Sequence, residues 1–479
     1  MLTDVFADAA RRHPARLAVT DASTRLTYGE LVRRTAEVTD FLAGHGRAGR
    51  PARVGLFAAN SVDYVVCYLG ILFSGNVPFL IDSAFGPREL ALIADDCGLD
   101  LLVHDDRPVG PGATPLGGCP GGTGGLGLAK LPTPEHRPDL LPDTEVCRFT
   151  SGSTGKPNCI EFSGAAVSAA AANWAEGTGL AAEDRVACFA GLSNGLAFNT
   201  SLLSVFLVGA SLHLSRGLPT GGRIARLIAD VEATRLVGFP ALYESLLRRG
   251  LANEVVRRIG VAISSGAPLR PESRQAFAEQ TGLAIRNYYG LAEAGPLTFA
   301  TAPDAGDGLG AALPGVRLLA GVPGEPAVIR VRSQSMGSRY LNAPGVFEAR
   351  LDGSGYYRSG DEGYLDDGVL HLTGRTGRVI NVGGRKIDPI EVADALRGFA
   401  GVHEAVVFED TDRRGDALVT AAVTGGASLT VAGLRAHCAR QLADYKVPAR
   451  ILVLGEIPGN SIGKPSLSAL RELAARAHG

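Results

Sequence analysis

The chain has almost no charge imbalance: 47 Lys and Arg stand against 49 Asp and Glu, a formal net charge of -2. That leaves no electrostatic reason to expect nucleic acid or an anionic membrane surface as a partner. Long apolar runs are also missing. The most apolar stretch, YVVCYLGILFSGNVPFLI at 64–81, is interrupted by Ser74, Gly75, Asn76 and Pro78 well short of a membrane-spanning length, and reads as a buried helix running into a strand. The N-terminal MLTDVFADAARRHP has no basic start followed by an apolar run, so no signal peptide is expected. Seven scattered cysteines form no CxxC pair and no His-rich neighbourhood, which argues against a disulfide framework or a zinc site. A reducing cytoplasm and small-molecule chemistry are the expectation.

At 479 residues, 46% hydrophobic and 20% charged, the chain is long enough for two or more globular domains. Helical and strand-like segments alternate. LTYGELVRRTAEVTDFLAGHG is amphipathic with helical spacing, RVGLFAA reads as a strand and SVDYVVCYLGILFSG as a buried helix. RLIADVEATRLVGFP and GVAISSGAP continue the alternation, which predicts an α/β fold with mostly parallel strands and ligands at the strands' carboxyl ends. Residues 108–128, VGPGATPLGGCPGGTGGLGLA, read as a flexible surface connection. From about 377 the pattern changes: VINVGG, then Asp388 as N-cap with Pro389 opening the helix IEVADALRGF, strands AVVFED and LVTAAVT, and a helix LRAHCARQLADY. This predicts a small α+β domain over 377–479 beside a large one over 1–376.

The stretch CRFTSGSTGKPNCIEF at 147–162 collects hydroxyls and glycines of the kind that surround a phosphate. It fails the P-loop pattern, since only two residues separate Gly152 from Gly155 and Pro157 follows Lys156. Alone, it is as compatible with a plain connector as with a nucleotide loop. Four later stretches, with SSGAPL at 264–269, give it a context: NYYGLAEAGP at 287–296, YRSGDEGYL at 357–365, LTGRTGRVINVGGRKIDPIEV at 372–392 and PGNSIGKPS at 458–466.

In this order the motifs resemble the adenylate-forming superfamily of acyl-CoA synthetases, nonribosomal peptide adenylation domains and luciferases. The resemblance implies a large N-terminal domain, a small mobile C-terminal domain, ATP with Mg²⁺, and attack of a carboxylate on the α-phosphate with release of pyrophosphate. It implies that Thr150, Ser151, Gly152, Ser153, Thr154, Gly155 and Lys156 wrap the β,γ-phosphates. Tyr289 would stack on adenine, with Gly266, Ala267 and Pro268 across the ring, although a core aromatic is the other reading. Glu293 would hold Mg²⁺, Asp361 would accept from the ribose hydroxyls with Arg375 nearby, and Lys464 would bridge carboxylate and α-phosphate in the transition state.

The sequence departs from the pattern at Asn158 (usually Lys), Cys159 (Gly), Ala292 (Thr or Ser), Gly377 (Asp or Lys) and Arg339 (Gly). Cys159 is expected to be a buried packing residue, and nothing in the sequence accounts for Arg339. GLSNGLAFNTSLLSVFLVGASLHL corresponds to the segment lining the acyl pocket, where Ser193, Asn194 and Asn199, with Gly290, are candidates to meet the substrate. Residues 191–201 contain no carboxylate to pair an ammonium group, which disfavours an ordinary α-amino acid. The amides are equally compatible with hydrogen bonds to a small polar acid and with local backbone capping. NVGGRKIDPIEVADAL leans toward carrier-loading members, so the expected acceptor is the phosphopantetheine thiol of a carrier protein acting in trans. Coenzyme A is the nearest alternative, an amine the next, and a nucleotide-binding regulator without catalysis the alternative outside enzymes.

Overall fold

The computed structural model describes residues 2–43, 50–107, 109–110, 112–122, 124–150, 157–217, 220–250, 253–266, 269–301, 308–375, 379–426, 429–458 and 467–476. Two compact units emerge, one of residues 1–83, 94–150 and 159–376, the other of 84–93, 151–158 and 377–479. The fold is mixed α/β, as expected from the alternation of elements.

The first unit contains two large sheets. In one, Leu17–Thr20, Ser211–Leu214, Arg185–Cys188, Arg235–Gly238, Val261–Ser264 and Ile285–Leu291 run parallel in that spatial order. An antiparallel portion continues from Gly295–Phe299. In the other, Thr144–Thr150, Val77–Leu80, Arg53–Phe57 and Leu101–His104 are parallel neighbours, and Asn158–Ser163 lies beside Thr144–Thr150. The apolar stretch forms helix Val62–Phe73, started by the Ser61 side chain accepting from the Tyr64 amide, and then strand Val77–Leu80. Helix and strand are buried almost throughout, which is why neither shows polar alternation. Among the described residues no helix is long and apolar enough to cross a membrane.

The segment 108–128 differs from the expected loose connection. Thr114–Gly118 pairs antiparallel with Gly127–Lys130 at the edge of the second sheet, and Cys119 is buried with its Sγ 3.1 Å from that of Cys67. Backbone pairing at an edge needs no side chains, so a glycine-rich composition did not preclude it.

In the second unit, Val402–Thr411, Ala417–Gly425 and Arg450–Leu454 form a three-stranded sheet backed by helices Pro389–Arg397 and Val431–Gln441. Asp388 Oδ1 accepts from the Ile390 amide at 2.8 Å, the cap foreseen there. Buried Lys446 donates to Glu89 Oε1 at 2.6 Å and Glu391 Oε1 at 2.8 Å.

Candidate active site

Strands Val261–Ser264 and Ile285–Leu291 run parallel with Ser264 opposite Asn287, two residues before Tyr289 on its strand. Tyr289 is buried, and its Oη donates to Asp361 Oδ2 at 2.8 Å. Asp361, only 3% exposed, belongs to strand Tyr357–Asp366, whose register sets it opposite Arg375. The structure therefore joins two residues assigned to opposite ends of a nucleoside, 72 positions apart in sequence. Gly266 follows Ser264 and Ser265 directly. Ala267, Pro268 and the Arg375 side chain lie outside the described residues.

Glu293 is half-buried just beyond strand Ile285–Leu291, and its Oε1 accepts from Tyr340 Oη at 2.7 Å. The Tyr340 and Tyr357 hydroxyls are 3.3 Å apart. Burial, then the Glu293 charge, pushes both phenols above their ordinary range, so they stay protonated and can donate. Neither tyrosine was anticipated. Tyr357 lies two residues before the SGD motif, the one available signal, whereas nothing marks Tyr340. Its neighbour Arg339 acquires an explanation: Nε donates at 2.6 Å to Glu161 Oε1, on a fully buried side chain that also accepts from the Leu141 amide and Thr144 hydroxyl through Oε2. The guanidinium supplies the counter-charge that a buried carboxylate needs.

The segment expected to line the acyl pocket forms helix Gly195–Ala197, a π-helical turn over Phe198–Leu203, and helix Ser204–Val208. Asn194 Oδ1 accepts from the Leu196 amide at 2.9 Å, so this oxygen is engaged in capping. Asn199 is buried within the π turn, a feature often found at functional sites, and Ser193 is half-buried. Gly290 lies on the same strand as Tyr289.

Thr150 ends strand Thr144–Thr150, but Ser151, Gly152, Ser153, Thr154, Gly155 and Lys156 lie outside the described residues, as do Gly377 and Lys464. The strands on either side of the hydroxyl-rich stretch are neighbours in the sheet. Cys159 is fully buried, and burial raises its thiol well above the ordinary range. A thiol held in that form fits the packing role and opposes a nucleophilic one. The sequence reading also missed Arg148. It is buried, with Nη2 donating to the Ala292 carbonyl oxygen at 3.0 Å and its guanidinium carbon 4.6 and 4.9 Å from the ring centroids of Phe162 and Phe198. One charged residue in the otherwise apolar run VCRF was the available signal.

Residues 6–341 match the model of the AMP-binding enzyme family, and residues 391–464 that of the AMP-binding enzyme C-terminal domain. A 4-chlorobenzoate–CoA ligase from an Arthrobacter species is 26% identical, across 98% of this chain and 94% of its own. A probable non-canonical nonribosomal peptide synthetase, CymA, from Salinispora arenicola is 28% identical across 98% of this chain, which spans 6% of that protein. Among solved structures, a variant of the o-succinylbenzoate CoA synthetase MenE from Bacillus subtilis superposes with a TM-score of 0.82 at 21% identity, covering 98% of each chain, a likeness of fold. With the first match running over well more than half its length, the chain belongs to the AMP-binding enzyme family and is an ATP-dependent, AMP-forming acid ligase of the adenylate-forming superfamily.

Proposed function

We propose that the protein activates a small carboxylic acid as its acyl-adenylate and transfers the acyl group to coenzyme A. The observation that carries this reading is the match to a CoA ligase along 94% of that enzyme's length. Other relatives of comparable coverage, a 3-hydroxybenzoate–CoA ligase and a feruloyl-CoA synthase, point to the same acceptor. They favour it over the carrier-protein thiol expected from residues 381–396. Carrier loading stays the second reading because of the nonribosomal peptide synthetase relative.

In the first half-reaction a substrate carboxylate oxygen bonds to the α-phosphorus of ATP and pyrophosphate leaves. In the second, the thiol sulfur bonds to the acyl carbon, AMP leaves, and the thiol proton passes to solvent. Thr150 to Lys156 would hold the β,γ-phosphates, Tyr289 the adenine with Gly266, Ala267 and Pro268, and Asp361 the ribose with Arg375. Lys464 would meet the charge that accumulates between carboxylate and phosphate. Glu293 suits Mg²⁺: its carboxylate offers hard oxygen donors, and Tyr340 holds one of them in place. Bound there, the ion would offset phosphate charge.

Pyrophosphate release is measured across a panel of carboxylic acids, and the preformed adenylate is then offered coenzyme A, a phosphopantetheinylated carrier and amines. Consumption of coenzyme A is the expected result. Failure of every acid to elicit pyrophosphate release, together with tight ATP binding, would overturn the reading in favour of a nucleotide-binding regulator. Lys464→Ala is expected to slow adenylation by about 10²-fold or more with ATP affinity largely retained, read by single-turnover kinetics and equilibrium binding.

A further inference from the structure

Arg148 has no task in the reaction as described. Its side chain is 2% exposed and forms no ion pair with a carboxylate among the described residues. Nη2 reaches the Ala292 carbonyl, but Nε and Nη1 are buried with no hydrogen-bond partner among the described residues. Burial pushes the guanidinium down to about 10 against the opposing pull of Tyr288, Glu293 and Tyr68, so it remains charged at neutral pH. A buried cation with two orphaned donors is strongly unfavourable for a fold that gains nothing from it. Stacking on Phe162 and Phe198 covers the faces of the guanidinium but satisfies none of its N–H groups.

The position of this cation narrows its partner. Ala292, which it contacts, precedes Glu293. Nη1 lies against Gly195, where a Cβ would be 3.0 Å away, and Gly195 follows Asn194 in the segment corresponding to the acyl-pocket lining. The absence of a side chain at Gly195 is what lets the guanidinium border that segment. An anion carried by the acid, on the side away from the carboxylate that is adenylated, would meet the orphaned donors there.

We propose that Arg148 determines acyl specificity by receiving a second carboxylate on the substrate, which makes small dicarboxylic acids the substrate class. This rests on the acid-activating reading above and adds to it the chemistry of the acyl group. A carboxylate accepts several N–H donors at once and neutralises the charge, which a methyl or phenyl group in the same place cannot do.

The test uses the full chain and matched acids: succinate with butyrate, glutarate with pentanoate, and isophthalate with 3-methylbenzoate, with the monomethyl ester of each diacid as control. In the wild type, kcat/KM for pyrophosphate release is expected to favour one diacid over its monoacid partner and its ester by on the order of 100-fold or more. Arg148→Met should bring that ratio to within a few-fold of one while the KM for ATP changes little, and Arg148→Lys should retain part of the preference. A structural role predicts instead that Arg148→Met slows both members of a pair equally. That outcome overturns the proposal, as does a loss confined to ATP. If Arg148→Met does not fold, the wild-type ratios and Arg148→Lys decide. Turnover of monoacids alone removes the diacid assignment and leaves the ligase reading intact, whereas no turnover with any acid removes both.

Discussion

A Cβ added at Gly290 would lie 2.4 Å from Tyr288 Oη and 2.9 Å from the Gly295 carbonyl oxygen. The phenol has little room to retreat, because its ring packs edge-on against Trp174 with centroids 4.9 Å apart and both side chains are buried. Gly290→Ala is therefore expected to destabilise the protein by about 1–3 kcal/mol, checked by urea unfolding against the wild type. A similar argument applies to Tyr340, whose hydroxyl is the donor seen on Glu293. Tyr340→Phe removes that donor without changing the ring. The expected loss is about 1 kcal/mol of stability with a weaker response of activity to added Mg²⁺, measured by titrating the ion in the pyrophosphate assay. An unchanged Mg²⁺ response would mean that Glu293 needs no phenol to hold its position.

Helix Pro389–Arg397 begins with the device its sequence announces, an aspartate cap followed by proline. Asp388→Ala leaves the Ile390 amide without its acceptor, and about 1 kcal/mol of stability should be lost. Thermal unfolding of the intact chain, followed by hydrogen exchange at residues 389–397, checks whether the loss is local. This helix was legible because its cap, its first proline and its apolar spacing fall within a dozen residues. The buried helix Val62–Phe73 was legible from its apolar run alone, and its Ser61 cap emerged only in the structure. The strand Thr114–Gly118 was not: it is exposed along its length, so no alternation of buried and solvated positions marks it. The π-helical turn over Phe198–Leu203 was equally invisible, because i→i+5 pairing leaves no distinct apolar period in six residues.

His213 sits opposite Thr20 where strand Ser211–Leu214 runs parallel to Leu17–Thr20, joining segments 193 residues apart. Nδ1 is 2.8 Å from Thr20 Oγ1 and Nε2 is 3.0 Å from Ser211 Oγ. Burial, reinforced by the charges of Arg25 and Arg185, lowers this imidazole to about 4 from the ordinary 6.5. The folded protein thus keeps the ring neutral in a range where the unfolded chain binds a proton, and stability falls as pH drops from about 6.5 toward 4. Between pH 7 and pH 5 this group alone should cost about 2 kcal/mol, seen as a falling unfolding midpoint. His213→Gln, which has no titration in this range, should flatten the pH dependence by about that amount, and an unaltered slope would assign the acid sensitivity to other groups.

The sequence by itself determined the alternation of helices and strands, the capped start at Asp388, and the ordered motifs that mark an adenylate-forming enzyme. Periodicity, capping and motif spacing are local properties, read within a turn of helix or a few strand residues. Only the tertiary structure decided what surrounds the motifs: Tyr289 on Asp361, Tyr340 on Glu293, Arg339 on Glu161 and Arg148 beneath Ala292. The last three pairs are separated by 47, 178 and 144 positions. A buried charge must find its partner wherever packing brings one, and where the described residues supply none, as for two donors of Arg148, the second carboxylate proposed for the substrate would provide it.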